Sequence, residues 1–121
     1  MVETKLNEID LRGLDLRYAN LSHAGLSGTD LTGANLGNAN LTEVKLTHAN
    51  LIGAKLSAAN FSNVNLVDAE LHRAEIYEID LSGADLQGAN LTRAELFGAN
   101  LKRVNLKGAN VEGSDLSEVE Q

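Results

Sequence analysis

The chain has 121 residues and carries 17 acidic against 10 basic side chains, which gives a formal net charge of −7. Because protein binding to nucleic acid depends on neutralising phosphates with Lys and Arg, this charge disfavours direct nucleic-acid binding. Hydrophobic residues make up 43% of the chain, but aromatic residues only 3%, and Trp and Cys are absent. A core of large rings, a disulfide framework and a thiolate metal site are therefore excluded.

The length predicts a single domain that spans residues 1–121. No apolar run approaches the roughly 18 residues of a membrane helix, and no basic segment precedes an apolar stretch near Met1. We therefore expect no membrane association and a cytoplasmic location.

A period of five residues organises the chain from Leu6 onward. Every fifth residue from there to Leu116 is Leu, except at Phe61, Ile76 and Val111. The residue two positions earlier is usually Ala, and the residue between them is most often Asn or Asp. A helix would spread these leucines over all its faces, and a straight strand would alternate them between two faces. The pattern therefore predicts a chain that turns a corner within every five residues and points both apolar positions inward.

Glycine marks the predicted corners. Nine of the eleven glycines occupy the second position after the central Leu, and Asn38, Asn63 and Asp68 share this position. These residue types tolerate the positive φ of tight turns. Proline is absent, which suits a coil whose backbone N–H groups are needed for hydrogen bonds between neighbouring segments.

The runs Ala34-Asn35-Leu36, Ala84-Asp85-Leu86-Gln87-Gly88 and Ala89-Asn90-Leu91 resemble those of pentapeptide-repeat proteins, and the resemblance covers residues 4–119. It implies an all-β, right-handed quadrilateral β-helix in which four pentapeptides form one coil of 20 residues, so that this chain would have five to six coils. It also implies a non-enzymatic protein-interaction scaffold that presents flat faces to an unidentified protein partner and needs no cofactor. Because the family is abundant in cyanobacteria and other bacteria, a bacterial source is expected.

Residues 20 apart would stack in such a coil, so the outward residues can be sorted by side. One side bears six acidic and two basic residues, a net charge of −4. Its central positions are Leu16, Leu36, Leu56, Ile76, Leu96 and Leu116. We expect this acidic side to present Tyr77 and Phe97 in successive coils.

An exposed aromatic pair ringed by charge is typical of an interaction hot spot. The candidate protein-interaction patch consists of Arg73, Glu75, Tyr77, Glu78, Arg93, Glu95 and Phe97. The alternative is purely structural: the two rings would form a cross-strand pair, and the charged residues a surface salt-bridge cluster.

Neither catalysis nor metal binding is expected. His23, His48 and His72 would lie on three different sides, too far apart to share a metal ion, and a convex rod offers no cleft. The alternative function is DNA mimicry, because some pentapeptide-repeat proteins resemble a B-form duplex and occupy the DNA site of gyrase, a type II topoisomerase. The acidic side fits this hypothesis.

The ends of a β-helix carry inward leucines with no coil above them. Either the coil stacks on another copy, or the chain is a piece of a larger protein. Leu14 places a large residue where Ala is usual, which makes the first coil the more apolar end. We therefore expect a homodimer through the first coil. The candidate end-association residues are Leu6, Ile9, Leu11 and Leu14.

Overall fold

The computed structural model describes residues 9–121, so that Leu6 of the predicted end contact lies outside the described residues. Within this part of the chain there is no helix, and the β-structure consists of single-residue parallel bridges. Each bridge joins a residue to the one 20 positions later, from Asp10–Asp30 to Asn100–Glu120. Because the bridges recur every five residues, one coil has four sides, and residues 9–121 form between five and six coils.

Hydrogen bonds between coils run in both directions. The N–H of Leu56 donates to the Glu75 carbonyl of the next coil (2.8 Å), and the N–H of Lys55 donates to the Ala34 carbonyl of the previous coil (2.9 Å). Within the repeat, the N–H of Ala59 donates to the Leu56 carbonyl (3.1 Å) and closes the corner. The same pattern recurs along the coil, so each side is a flat stack of short segments whose backbone is fixed from both neighbours.

The interior is built from the two inward positions of each repeat. Leu56 and Leu91 are 0% and 1% exposed, which confirms the predicted register, and Phe61 is buried with them. Burying each such side chain contributes about 1.5–3 kcal/mol. Thr29 replaces the usual Ala, and its buried hydroxyl donates to the Leu26 carbonyl at 2.6 Å.

The polar residue between the inward positions stabilises the turn that follows it. Asn50 Oδ1 accepts the backbone N–H of Ile52 (3.1 Å), and Asp30 accepts both the N–H and the hydroxyl of Thr32 (3.0 and 2.6 Å). A side chain that accepts from the backbone two residues later stabilises a tight turn. This explains why Asn and Asp recur at these positions.

Every corner residue from Gly13 to Glu118 lies in the left-handed region, with φ between +56° and +72°. Nine of these residues are glycines, as predicted, but thirteen are not, and Ala58, Arg73 and Arg93 are among them. A left-handed conformation costs a residue with a Cβ atom about 1 kcal/mol or more. The corners therefore carry strain that the hydrogen bonds between coils overcome.

No helix in the described part of the chain has the length and hydropathy needed to cross a membrane.

Candidate protein-interaction surface

The acidic face is the side of the β-helix formed by residues 14–18, 34–38, 54–58, 74–78, 94–98 and 114–118. Parallel bridges place Glu75, Glu95 and Asp115 above one another in successive coils. In the first described coil, Arg17 Nη2 lies 2.8 Å from Asp15 Oδ2 and neutralises it. The negative charge of the acidic face is therefore concentrated in its later coils.

Tyr77 and Phe97 occupy equivalent outward positions on the acidic face, as predicted, but their surroundings differ. Tyr77 is partly buried, and its hydroxyl donates to Glu75 Oε2 at 3.2 Å. Burial raises the pKa of the Tyr77 hydroxyl, and the hydrogen bond to Glu75 raises it further. Phe97 is 43% exposed. The exposed aromatic surface of the patch is thus mainly that of Phe97.

Arg73 and Arg93 lie in successive coils at the corner beside the acidic face, with φ of +58° and +56°. Within residues 9–121 neither guanidinium forms a hydrogen bond or an ion pair. The salt-bridge cluster with Glu75 and Glu95 that the structural alternative required is therefore not formed. The remaining patch residue, Glu78, occupies the next corner and is exposed.

The paired arginines of the first described coil show why Arg73 and Arg93 remain free. Arg12 Nε and Nη2 bind the Asp10 carboxylate at 2.9 and 2.8 Å, and Arg17 binds Asp15 in the same way. In both pairs the Arg follows the Asp by two residues, one position before the corner. Arg73 and Arg93 instead occupy the corner itself, and the residue two positions before each of them is a Leu and not a carboxylate.

A shallow groove of about 540 Å³ lies against this corner. It is lined by His72, Arg73, Thr92, Arg93, Glu112 and Gly113. The Thr92 hydroxyl donates to Asn90 Oδ1 (2.8 Å) and lies 2.6 Å from His72 Nδ1. The Thr92 hydroxyl has one proton, which it donates to Asn90. In the contact between His72 and Thr92, Nδ1 of His72 is therefore the donor and the hydroxyl oxygen the acceptor. The imidazole ring is thereby held against the wall of the groove.

The three histidines lie on three different sides, and each contacts the next coil. His23 Nδ1 lies 3.2 Å from Glu43 Oε2, and His48 Nε2 lies 3.9 Å from Asp68 Oδ2. No group of three His, Cys, Asp or Glu side chains within residues 9–121 is arranged to hold a metal ion.

Tyr18 is an exposed aromatic residue of the acidic face that the sequence analysis did not single out. It stands at a corner with φ +63°, and 75% of its surface is exposed. The signal that could have found it is an aromatic residue at a position where Gly, Asn and Asp are usual. It lies in an earlier coil than Phe97 and is separate from the candidate patch.

The candidate end residues are exposed to different degrees. Ile9 and Leu14 are exposed, Leu14 by 44%, whereas Leu11 is partly buried and packs against the core. At the opposite end Leu106 and Leu116 are similarly exposed beside a cavity of about 90 Å³. Exposure alone therefore does not distinguish the first coil from the last.

The pentapeptide repeats family matches the chain in eight copies, over residues 2–33, 24–63, 45–83 and 79–118. No curated protein sequence matches it.

Solved structures with the same fold include a pentapeptide repeat protein from the Arabidopsis thaliana thylakoid lumen. It is 34% identical, has a TM-score of 0.76, and the match covers 92% of this chain and 70% of that one. Rfr23, from the cyanobacterium Cyanothece 51142, is 25% identical with a TM-score of 0.72, over 96% of this chain and 90% of that one. QnrB1, a plasmid-mediated fluoroquinolone resistance protein, is 20% identical with a TM-score of 0.44. The match covers 97% of this chain and 72% of that one. The chain belongs to the pentapeptide repeat family, and its fold is the right-handed quadrilateral β-helix that the family resemblance implied.

Proposed function

We propose that the protein is a non-enzymatic scaffold that binds a partner protein through the acidic face. The observation that carries the proposal is the exposed ring of Phe97, 43% accessible on a face of fixed backbone. On either side of it, the N–H of Glu95 donates to the Ala74 carbonyl (3.0 Å) and the N–H of Gly98 to the Ser117 carbonyl (3.0 Å). Binding on such a face requires little ordering of the chain, which favours affinity.

The surroundings of Phe97 resemble the composition of an interaction surface. Glu75 and Glu95 provide a charged border on the same face, and Arg73 and Arg93 provide unpaired positive charge at its corner. Interface energy is concentrated in a few anchors, among which aromatic residues and Arg are enriched. We infer that Phe97 is the anchor and that the charged residues set the orientation of the partner.

Site-directed photo-crosslinking tests this proposal. A benzophenone side chain replaces Phe97 in one protein and Gln87 in another, and both are irradiated in an extract of the source cells. Gln87 is the matched control, because it is exposed and occupies the equivalent repeat position half a coil away, on the opposite side. We expect a discrete adduct at position 97 that unlabelled wild-type protein suppresses and Phe97→Ser protein does not. Equal adducts at both positions would contradict the proposal.

A second candidate function is inhibition of a type II topoisomerase such as gyrase by DNA mimicry. The observation that favours it is the column of Glu75, Glu95 and Asp115, which repeats negative charge along the rod. A supercoiling assay with purified gyrase tests it. The hypothesis requires inhibition that excess DNA relieves and that neutralising the three carboxylates abolishes. Unchanged supercoiling at micromolar protein would refute it.

We further propose a homodimer through the first coil, in which the exposed Leu14 and Ile9 pack against their counterparts in a second copy. A two-fold arrangement closes on itself, and the net charge of −7 opposes open-ended growth. Sedimentation velocity at micromolar concentration should give a dimer for the wild type and a monomer for Leu14→Ser. A monomeric wild type would exclude this contact.

We also propose a bacterial source and a cytoplasmic location. The proposal rests on the abundance of the family in bacteria, although the similar Arabidopsis protein comes from the thylakoid lumen. Fractionation of the source cells, followed by immunodetection, tests the location.

A further inference from the structure

We infer that Arg73 and Arg93 form a binding site for a phosphate-class dianion, either free phosphate or a phosphorylated side chain. The inference deepens the proposed function, because it names the chemical group that the two arginines of the patch would recognise.

The corner column to which the two arginines belong otherwise consists of glycine. Its members, 20 residues apart, are Gly13, Gly33, Gly53, Arg73, Arg93 and Gly113, all with positive φ. Glycine adopts this conformation without strain, whereas an L side chain does not. Arg73 and Arg93 thus bear a conformational cost that the rest of their column avoids. Since neither guanidinium forms a hydrogen bond or an ion pair with another described residue, no polar contact within the fold offsets this cost.

The two arginines place like charges side by side. Arg73 and Arg93 lie in adjacent coils, about 4.8 Å apart at the backbone. Like charges that stem from adjacent coils repel each other, and no carboxylate within residues 9–121 forms an ion pair with either of them. Arg12 and Arg17, in contrast, are each occupied by a bidentate Asp. Among these four, only the corner pair is available to an external anion.

The shape of the two guanidiniums determines which anion fits. Each guanidinium presents a planar fork of N–H donors that pairs with two oxygens of one anion. A carboxylate has two oxygens and one charge, enough for one fork. A phosphate monoester has three terminal oxygens and a charge near −2, so that it can serve Arg73 and Arg93 together. The pair of forks therefore favours phosphate over a single carboxylate.

The groove gives the anion access from solvent. A Cβ atom at Gly113 would lie 3.3 Å from Arg93 Cγ, so that glycine at this position leaves room for the Arg93 side chain. The His72 ring, held by Thr92, forms a wall beside Arg73. The acidic lining residue, Glu112, lies in the coil beyond Arg93, so we place the anion between the two arginines. The groove volume of about 540 Å³ leaves space for the side chain that carries a phosphate.

The test uses the full chain and three probes: inorganic phosphate, a five-residue peptide Gly-Gly-phosphoserine-Gly-Gly, and the same peptide without the phosphoryl group. Binding is followed by NMR of the arginine Nε–Hε signals. We expect saturable shifts of the Arg73 and Arg93 signals with the two phosphorylated probes and none with the unmodified peptide. Stronger binding of the phosphopeptide would identify a phosphorylated partner as the ligand, and stronger binding of the free ion would identify phosphate itself.

The decisive variant is Arg73→Gly with Arg93→Gly, which removes both guanidiniums and relieves the strain of both corners. We expect it to bind phosphate about 10- to 100-fold more weakly for each charged hydrogen-bonding group lost. Arg73→Lys with Arg93→Lys keeps the charge but loses the forks, and its affinity should fall between those of the wild type and the glycine variant. The control, Arg12→Gln with Arg17→Gln, removes the same charge from occupied arginines and should stay within about twofold of the wild type.

Equal weakening in the glycine variant and the glutamine control would overturn the inference, because binding would then reflect net charge alone. Absence of saturable binding to the wild type would overturn it as well. Either failure leaves crosslinking at position 97 unaffected. Conversely, loss of that crosslink with phosphate binding intact would refute the scaffold function and retain the anion site.

Discussion

The hydroxyl of Tyr77 donates a hydrogen bond of 3.2 Å to Glu75, whereas Phe97, at the same position of the next coil, has no polar group with which to make such a contact. Tyr77 is partly buried, and Phe97 remains 43% exposed. Two aromatic residues that the repeat makes equivalent therefore have different roles. Tyr77 stabilises the face, and Phe97 is the residue that a partner can cover.

We therefore expect Tyr77 to matter more for stability and Phe97 to matter more for partner binding. Tyr77→Phe should lower the free energy of unfolding by about 0.5–1.5 kcal/mol, because it removes one hydrogen bond. Phe97→Ser should change it by no more than about 0.5 kcal/mol, because the residue is 43% exposed and its ring makes no hydrogen bond. Chemical denaturation followed by circular dichroism measures both. A larger loss for Phe97→Ser than for Tyr77→Phe would make Phe97 a structural residue.

Leu56 and Ser57 provide a matched test of the inward register. Leu56→Ala should lower the free energy of unfolding by about 2–5 kcal/mol through lost burial and the cavity left behind. Ser57→Ala should be neutral within about 0.5 kcal/mol, because Ser57 occupies an outward, only partly buried position of the same coil. Urea denaturation of both variants checks this. Comparable losses at the two positions would mean that the inward assignment is wrong.

At a left-handed corner, glycine should be more stable than any residue whose side chain forms no stabilising contact. Ala58, with φ +60°, is the simplest case, and Ala58→Gly should raise the free energy of unfolding by about 1 kcal/mol. Gly53→Ala should lower it by a similar amount, since nothing lies within 4 Å of the added Cβ and only conformation is changed.

Gly83→Ala should be worse than Gly53→Ala, because its Cβ would overlap Asn63 Oδ1 and force that amide to move. Thermal unfolding ranks the three variants. A stabilising Gly53→Ala would contradict the corner geometry.

The pair of Asp15 and Arg17 predicts an unusually acidic carboxyl. The side-chain hydrogen bond from Arg17 and the hydrogen bond from its backbone N–H lower the pKa of Asp15 from 3.8 to about 2. Because this pKa is depressed in the folded state, the stabilisation is present above about pH 4 and is lost as the pH falls through 2. NMR titration of the Asp15 carboxyl should show the low pKa. Arg17→Gln should raise the pKa yet keep it below 3.8, because the backbone donor remains; an unchanged pKa would exclude the ion pair as its main cause.

Much of the fold follows from the sequence, because one inward Leu every five residues admits few arrangements. The register places Phe61 in the core, and the positions of Gly53, Asn63 and Asp68 identify the corners, as the structure confirms. The contacts of individual outward residues were not predictable in the same way, because they depend on χ angles that the repeat does not specify.

Three outward residues illustrate this limit. The bond between His72 and Thr92 joins residues 20 apart, and their separation alone predicts stacking but not a hydrogen bond. Tyr77 reaches its own coil instead of the next one. Arg73 remains unpaired although Glu75 is two residues away, and the paired arginines of this chain follow their carboxylate by two residues and do not precede it.

The central claim is that Phe97 anchors a partner protein on the acidic face. Its most direct test is the affinity of the partner identified by crosslinking, measured by isothermal titration calorimetry for the wild type, Phe97→Ser and Gln87→Ser. We expect Phe97→Ser to weaken binding about 30-fold or more, the level of a hot spot, and Gln87→Ser to bind as the wild type does. Equal affinities for all three proteins would contradict it.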